Sequence, residues 1–311
     1  FFRNGTAATS VQADLSFGEY AGWHAHFDSL NFNLHVGGRP VLVELSRFGS
    51  YDHPLDHLFR SPEAHNQMLV DGHPYDNRHQ PACGDVAWAS LPALDYFSAT
   101  HRAYRPIPPP DDQVHRVYVA AEDLMVRRTV VGVKNPGYFV VLDSVRRMDP
   151  TVPFSRAVSG YWHAPAPFRR QGAQGMVTGQ GGIGCLMRWA RPDTIRRLEP
   201  GWDFDSSVEC AAARRSYQLR ARAWGLQTDT GINGLVTLIW PFTGKAPTVE
   251  FGVDEAAPAV PYRIEHLVIR WGKLTDRLML NPERLPAVDR SGNRTRARCG
   301  WVRGEGRMIA L

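Results

Sequence analysis

The chain has no apolar run long enough to cross a bilayer. A spanning helix needs about 18–20 such residues in succession, and the most apolar stretches, Thr129–Val133 and Tyr138–Leu142, stop at strand length. Lysine is nearly missing: Lys134, Lys245 and Lys273 stand against 36 basic residues in all. The positive charge is therefore carried by arginine, whose planar fork matches carboxylate and sulfate oxygens two at a time and suits an acidic polymer. A GC-rich genome produces the same bias. Cysteine is scarce too. Cys83, Cys185, Cys210 and Cys299 are far apart without a C-x-x-C pair, which argues against a thiolate metal site and leaves free thiols and disulfides equally open. Phe1–Gly5 hold neither an initiator Met nor a signal-peptide pattern, so the numbering is expected to start inside a longer precursor. The net charge of +5 is spread along the chain without a helix-turn-helix, zinc-finger or RNA-binding signature, and nucleic acid is not an expected partner.

What is present reads as strands. With 311 residues, 43% of them hydrophobic, the chain can bury a large core. Short β-branched and aromatic runs are separated by Gly, Pro, Asn and Asp, which is how antiparallel strands and turns are written. Phe32–Val36 and Val41–Leu45 flank Gly37-Gly38-Arg39-Pro40 as one hairpin, and Thr129–Val133 and Tyr138–Val145 flank Lys134-Asn135-Pro136-Gly137 as another. Further strands are predicted over Val114–Ala120, Leu124–Arg128, Cys185–Trp189, Ser216–Trp224, Leu235–Phe242, Ile264–Trp271 and Arg307–Leu311. The expectation is an all-β fold with few helices, a large antiparallel β-sandwich. Its main part would span residues 1–245, with terminal strands or a small β appendage over 246–311. Pro106–Pro110 reads as a rigid exposed connection and Gly172–Gly184 as a flexible glycine-rich loop that lacks the Lys-Ser/Thr of a phosphate loop.

The chemistry concentrates in Gly22-Trp23-His24-Ala25-His26-Phe27-Asp28, the hairpin leading to Glu44, and Arg60-Ser61-Pro62-Glu63-Ala64-His65-Asn66. Residues two apart on an extended strand share a face, so His24 and His26 point the same way. Glu44 from the hairpin and His65 from the next strand would complete a set of two imidazoles and a carboxylate, an ordinary group of three zinc ligands. The competing reading makes His24 and His26 hydrogen-bonded pocket residues and Glu44 a surface carboxylate.

The string G-x-H-x-H-x-D from Gly22, the hairpin ending in Leu42-Val43-Glu44, Gly49-x-Tyr51, and Phe59-Arg60-Ser61-x-x-Ala64-His65-Asn66-x-x-x-Val70-Asp71-Gly72 resemble the heparinase II/III-like family of polysaccharide lyases. Weaker similarity continues through Arg127–Asp143 and Tyr161-Trp162-His163. The resemblance implies the antiparallel β-sandwich that follows a helical (α/α) toroid, with uronic-acid polymers such as heparan sulfate or alginate cleaved between the two. It implies zinc held structurally by His26, Glu44 and His65, although the family's middle ligand is usually Asp. His24 matches the active-site histidine that faces the substrate carboxylate, and Tyr51 an active-site tyrosine. Trp23 and Arg60 beside them are assigned to substrate binding, and Asp28 and Asn66 to orienting ligands or turns. A periplasmic or secreted location follows from the same resemblance.

The implied chemistry is β-elimination: the uronate carboxylate is neutralised, a base takes the C5 proton, and an acid assists departure of the O4 leaving group. No toroid is recognisable in the chain. Two other readings remain open. One is a non-catalytic sandwich that binds acidic polysaccharide, with Trp23, Trp162, Trp189 and Trp224 stacking on sugars. The other is a uronyl C5-epimerase, which returns the proton instead of expelling O4. A metal-dependent hydrolase is weaker, because no water-activating carboxylate pair stands out.

Overall fold

The computed structural model describes residues 1–5, 10–17, 26, 28–44, 64–70, 84–107, 117–147, 158–173, 175–190, 194–198, 203–210, 215–222, 224–230, 234–254, 265–284, 287–288, 294–304, 306 and 308–311. Among the described residues the regular elements are strands, and they pair antiparallel. An eight-stranded sheet forms the middle. Its order is Arg169–Arg170, Gly175–Gln180, Ile183–Trp189, Gly234–Thr243, Tyr138–Arg147, Val117–Val133, Leu94–Ile107 and Gly84–Ser90.

Side chains alternate across a strand, so a strand buried on both faces reads as a continuous apolar run. Tyr138–Arg147 shows this directly. Phe139 and Val141 enter one core, and Tyr138, Val140 and Leu142 enter the other. The first core lies against a four-stranded sheet of Phe2–Asn4, Val11–Leu15, Phe32–Val36 and Arg39–Leu42, joined by Trp162 and Ala164 of the strand Val158–Ala164. The second core lies against a five-stranded sheet of Glu250–Val253, Glu265–Trp271, Leu274–Leu280, Cys299–Arg303 and Ile309–Ala310. A third, smaller cluster joins Met68 and Val70 to Leu124, Val126, Val145, Val158 and Leu235. The sandwich is therefore three layers deep where the middle sheet is covered on both faces.

Four sequence expectations change in detail. The first hairpin turns on Gly37-Gly38 alone, because both adopt positive φ, 58° and 72°, as a tight two-residue turn requires. Arg39 and Pro40 then belong to the returning strand, which ends at Leu42. The glycine-rich stretch is not a loose loop but the hairpin Gly175–Gln180 with Ile183–Trp189, turning on Gly181-Gly182. Its glycines let the two backbones approach: a Cβ on Gly184 would run into the Thr178 carbonyl. The separately expected strands Val114–Ala120, Leu124–Arg128 and Thr129–Val133 merge into Val117–Val133. Pro106 lies inside the strand Leu94–Ile107, and residues 108–110 lie outside the described residues. Cys185 and Cys299 are free, buried thiols, and burial pushes the Cys299 thiol up to about 12.

Candidate functional site

The strand Phe32–Val36 puts Phe32, Leu34 and Val36 into the core and leaves Asn33 and His35 on the other face. Asn33 uses that position to hold the next segment. Past the end of the strand Arg39–Leu42, the Glu44 backbone N–H donates to Asn33 Oδ1 at 3.1 Å, and Asn33 Nδ2 donates to Asp14 at 3.1 Å. Val43 N–H donates to the His163 carbonyl at 3.0 Å, which lays the segment against the strand Val158–Ala164. Glu44 is thus fixed at its backbone from two sides.

His65 arrives from the turn before the strand Met68–Val70 and is fully buried. Its Nδ1 lies 3.0 Å from Glu44 Oε2, and Asn31 Nδ2 donates to the same oxygen at 3.2 Å. The His26 ring lies 5.4 Å from the His65 ring, centroid to centroid. Burial opposes ionisation of Glu44, but the hydrogen bond from His65 and the charges of His65 and His26 outweigh it and hold the carboxyl below its ordinary value. An ionised carboxylate only accepts, so His65 Nδ1 carries the proton. Nε2 is left as the second ring nitrogen, buried and without a hydrogen-bond partner among the described residues. Asp28 stands beside this pair. Burial, with Glu44 adding to it and His65 opposing it, raises its carboxyl above the usual range.

Asn66 ties the pocket together. Its Nδ2 donates to the Phe32 carbonyl at 2.9 Å, its Oδ1 accepts from His163 N–H at 2.6 Å, and its own N–H donates to Asn31 Oδ1 at 2.7 Å. Asn31 and Asn33 were not singled out from the sequence. The signal was available in Asn31-x-Asn33, which straddles the first residue of the strand Phe32–Val36.

Of the expected site residues, the structure gathers His26, Glu44 and His65 into one cluster. His24, Tyr51, Trp23 and Arg60 lie outside the described residues. The three gathered groups supply the donor types that zinc takes, and His65 Nε2 is a buried ring nitrogen without a hydrogen-bond partner among the described residues. Among the described residues, however, no three His, Cys, Asp or Glu side chains stand in metal-holding geometry. Trp162 and Trp189 are each 1% exposed and belong to the core, the commoner fate of such side chains, and not to the sugar-stacking role of the binding-sandwich alternative. Trp23 and the Trp224 side chain lie outside the described residues. Trp88, on the edge strand Gly84–Ser90, is 76% exposed.

The family model described as "Heparinase II/III-like, C-terminal" matches residues 2–223, well over half of the chain. The chain belongs to this family. Among solved structures it is similar to the heparan sulfate lyase HepC of Pedobacter heparinus, with a TM-score of 0.63 at 16% identity, over 86% of this chain and 39% of that one. A mutant of the same lyase gives 0.64 at 14% identity, over 100% and 40% of the two chains. A heparinase III gives 0.62 at 16% identity, over 89% and 40%. At these identities the likeness is one of fold, and the chain spans about two fifths of the length of these relatives. The search of curated proteins returned no match.

Proposed function

We propose that this chain is the β-sandwich portion of a polysaccharide lyase that cleaves uronic-acid-containing chains by β-elimination, with a structural zinc ion held through His26, Glu44 and His65. The observation that carries the reading is the pocket itself: a buried imidazole, a second imidazole and an ionised carboxylate, held by three asparagines within a heparinase II/III-like domain. Zinc there supplies an anchor between the segments that carry these residues, the role of a structural site.

The reacting groups are assigned to His24 and Tyr51. His24, two residues before His26, neutralises the uronate carboxylate or moves a proton, as a group that titrates near neutral pH can. Tyr51 is assigned to acid or base work in the same step. The C5 proton goes to the base, its electron pair forms the C4–C5 double bond, and the C4–O4 bond breaks as the leaving oxygen is protonated. Trp23 and Arg60 bind substrate, and the arginine-rich surface meets the acidic chain. A helical toroid completes the cleft, and the protein works in the periplasm or outside the cell.

The experiment is to incubate the protein with heparan sulfate, alginate, hyaluronan and polyglucuronate, following ultraviolet absorbance of the unsaturated uronate and chain binding in parallel. A rise in absorbance with one polymer supports the lyase and names its substrate. Binding without unsaturated ends marks a detached sandwich or a non-catalytic binding domain, and an altered uronate ratio an epimerase. The absence of both product and binding sinks the reading.

A further inference from the structure

Arg128 stands outside the histidine motifs and is 1% exposed. Its Nε and Nη2 meet both oxygens of Asp143 at 2.6 and 2.8 Å. Nη1 is turned to two backbone carbonyls, Leu30 and Asn66, each at 2.6 Å. Those carbonyls belong to the two segments that the pocket must hold together. Leu30 lies two residues after Asp28 and four after His26, and Asn66 follows His65 directly. One nitrogen of one guanidinium therefore spans both.

Leu30 adds a second observation. It sits at φ 66°, in a turn closed by Asn31 N–H donating to the Asp28 carbonyl at 2.9 Å. That region suits glycine or asparagine and is unfavourable for a branched side chain, so the surroundings must hold it in place. The Leu30 carbonyl is where Arg128 holds it.

We propose that Arg128 is a positioning residue for the pocket: by bonding the Leu30 and Asn66 carbonyls it keeps the Leu30 turn in its strained form and sets the separation of the His26 and His65 segments. Lysine cannot replace it, because one ammonium cannot hold Asp143 at two points and still reach two carbonyls in a fixed plane. The inference rests on the zinc reading for its first readout only.

The test compares Arg128→Lys, Leu30→Gly and the double variant by zinc affinity, measured by chelator competition on protein shown to be folded. In zinc-free protein, the ring-nitrogen NMR signals of His65 are followed as well. R128K is expected to bind zinc about 10–100-fold more weakly, the usual effect of losing an outer-shell support. L30G deletes a side chain buried in the first core and is expected to lower the melting temperature on its own, while in the R128K background it is expected to restore part of the lost zinc affinity, since glycine takes the turn without help. His65 is expected to give one tautomer, with Nδ1 protonated, in the wild type and an exchanging mixture in R128K. A lower melting temperature with zinc affinity and His65 signals both unchanged overturns the proposal, leaving Arg128 a core ion pair. Should R128K not fold, Asp143→Asn carries the same comparison: weaker zinc binding that L30G restores sustains it, and unchanged binding overturns it. A wild-type protein that takes up no zinc defeats the zinc reading alone, and the His65 signals then decide this one.

Discussion

Glu44 Oε2 receives His65 Nδ1 at 3.0 Å, and this contact makes the pocket sensitive to acid. The Glu44 carboxyl is held below its ordinary value near 4.5. A carboxyl with a depressed folded-state value adds stability that is present above the unfolded value and lost as pH falls through the folded one. In chelator-treated protein, urea midpoints are therefore expected to fall as pH drops from about 4.5 downward, with a shallower fall in Glu44→Gln. Equal slopes in the two proteins would show that the contact is not formed in solution.

Zinc binding at His26, Glu44 and His65 is expected to appear as ligand-linked stability. At free zinc one hundred times the dissociation constant, the folded state gains about 2.7 kcal/mol, which raises the melting temperature. His26→Ala and His65→Ala are expected to abolish both the bound metal, counted by elemental analysis, and the thermal shift. His35→Ala, on the strand Phe32–Val36 but outside the pocket contacts, is expected to keep both. Retention of zinc by H26A would remove that residue from the ligand set.

The second core is clamped by a polar contact. Tyr138 of the middle sheet donates its hydroxyl to Asp276 of the five-stranded sheet at 2.6 Å, and Asp276 is fully buried. Arg303 forks onto both oxygens of that carboxylate, Oδ1 at 2.8 Å and the Oδ2 it shares with Tyr138 at 2.9 Å, and lies over the Trp271 and Trp301 rings. Burial, reinforced by Asp276, pushes the Tyr138 hydroxyl well above its ordinary value, so it stays a donor. Tyr138→Phe removes a hydrogen bond to a charged group and is expected to cost about 1.5–3 kcal/mol in denaturant unfolding. A change within about 0.5 kcal/mol, the range of ordinary surface substitutions, would mean that Arg303 alone satisfies Asp276.

The strands were legible because burial on one or both faces leaves its period in the sequence. Tyr138–Leu142 is apolar at every position, and Phe32, Leu34 and Val36 alternate with Asn33 and His35. His26, Glu44 and His65 were legible as a group through motif spacing and resemblance, not through periodicity. What spacing could not give was the support between them. Arg128 is 98 residues from Leu30 and 62 from Asn66, and nothing local marks its carbonyl contacts. The glycine-rich stretch was misread as loose because glycine serves both flexible loops and backbones in close approach, and the two uses look alike in sequence.

That ambiguity yields a direct test in the hairpin Gly175–Gln180 with Ile183–Trp189. A Cβ on Gly184 would meet the Thr178 carbonyl, with Gly179 Cα and Phe242 Cζ each at 2.9 Å. Two of these three atoms are backbone and cannot swing aside as the end of a long side chain can. Gly184→Ala is therefore expected to destabilise by about 1–3 kcal/mol, as overpacking does. Gly252 lies in the strand Glu250–Val253 with nothing within 4 Å of its would-be Cβ. There Gly252→Ala is expected to be neutral or to stabilise by up to about 1 kcal/mol, through the lost freedom of the unfolded chain. Denaturant midpoints of the two variants decide between the uses of glycine. A G184A protein as stable as the wild type would mean that the two strands are not closely apposed there and that the stretch is the flexible loop its composition suggests.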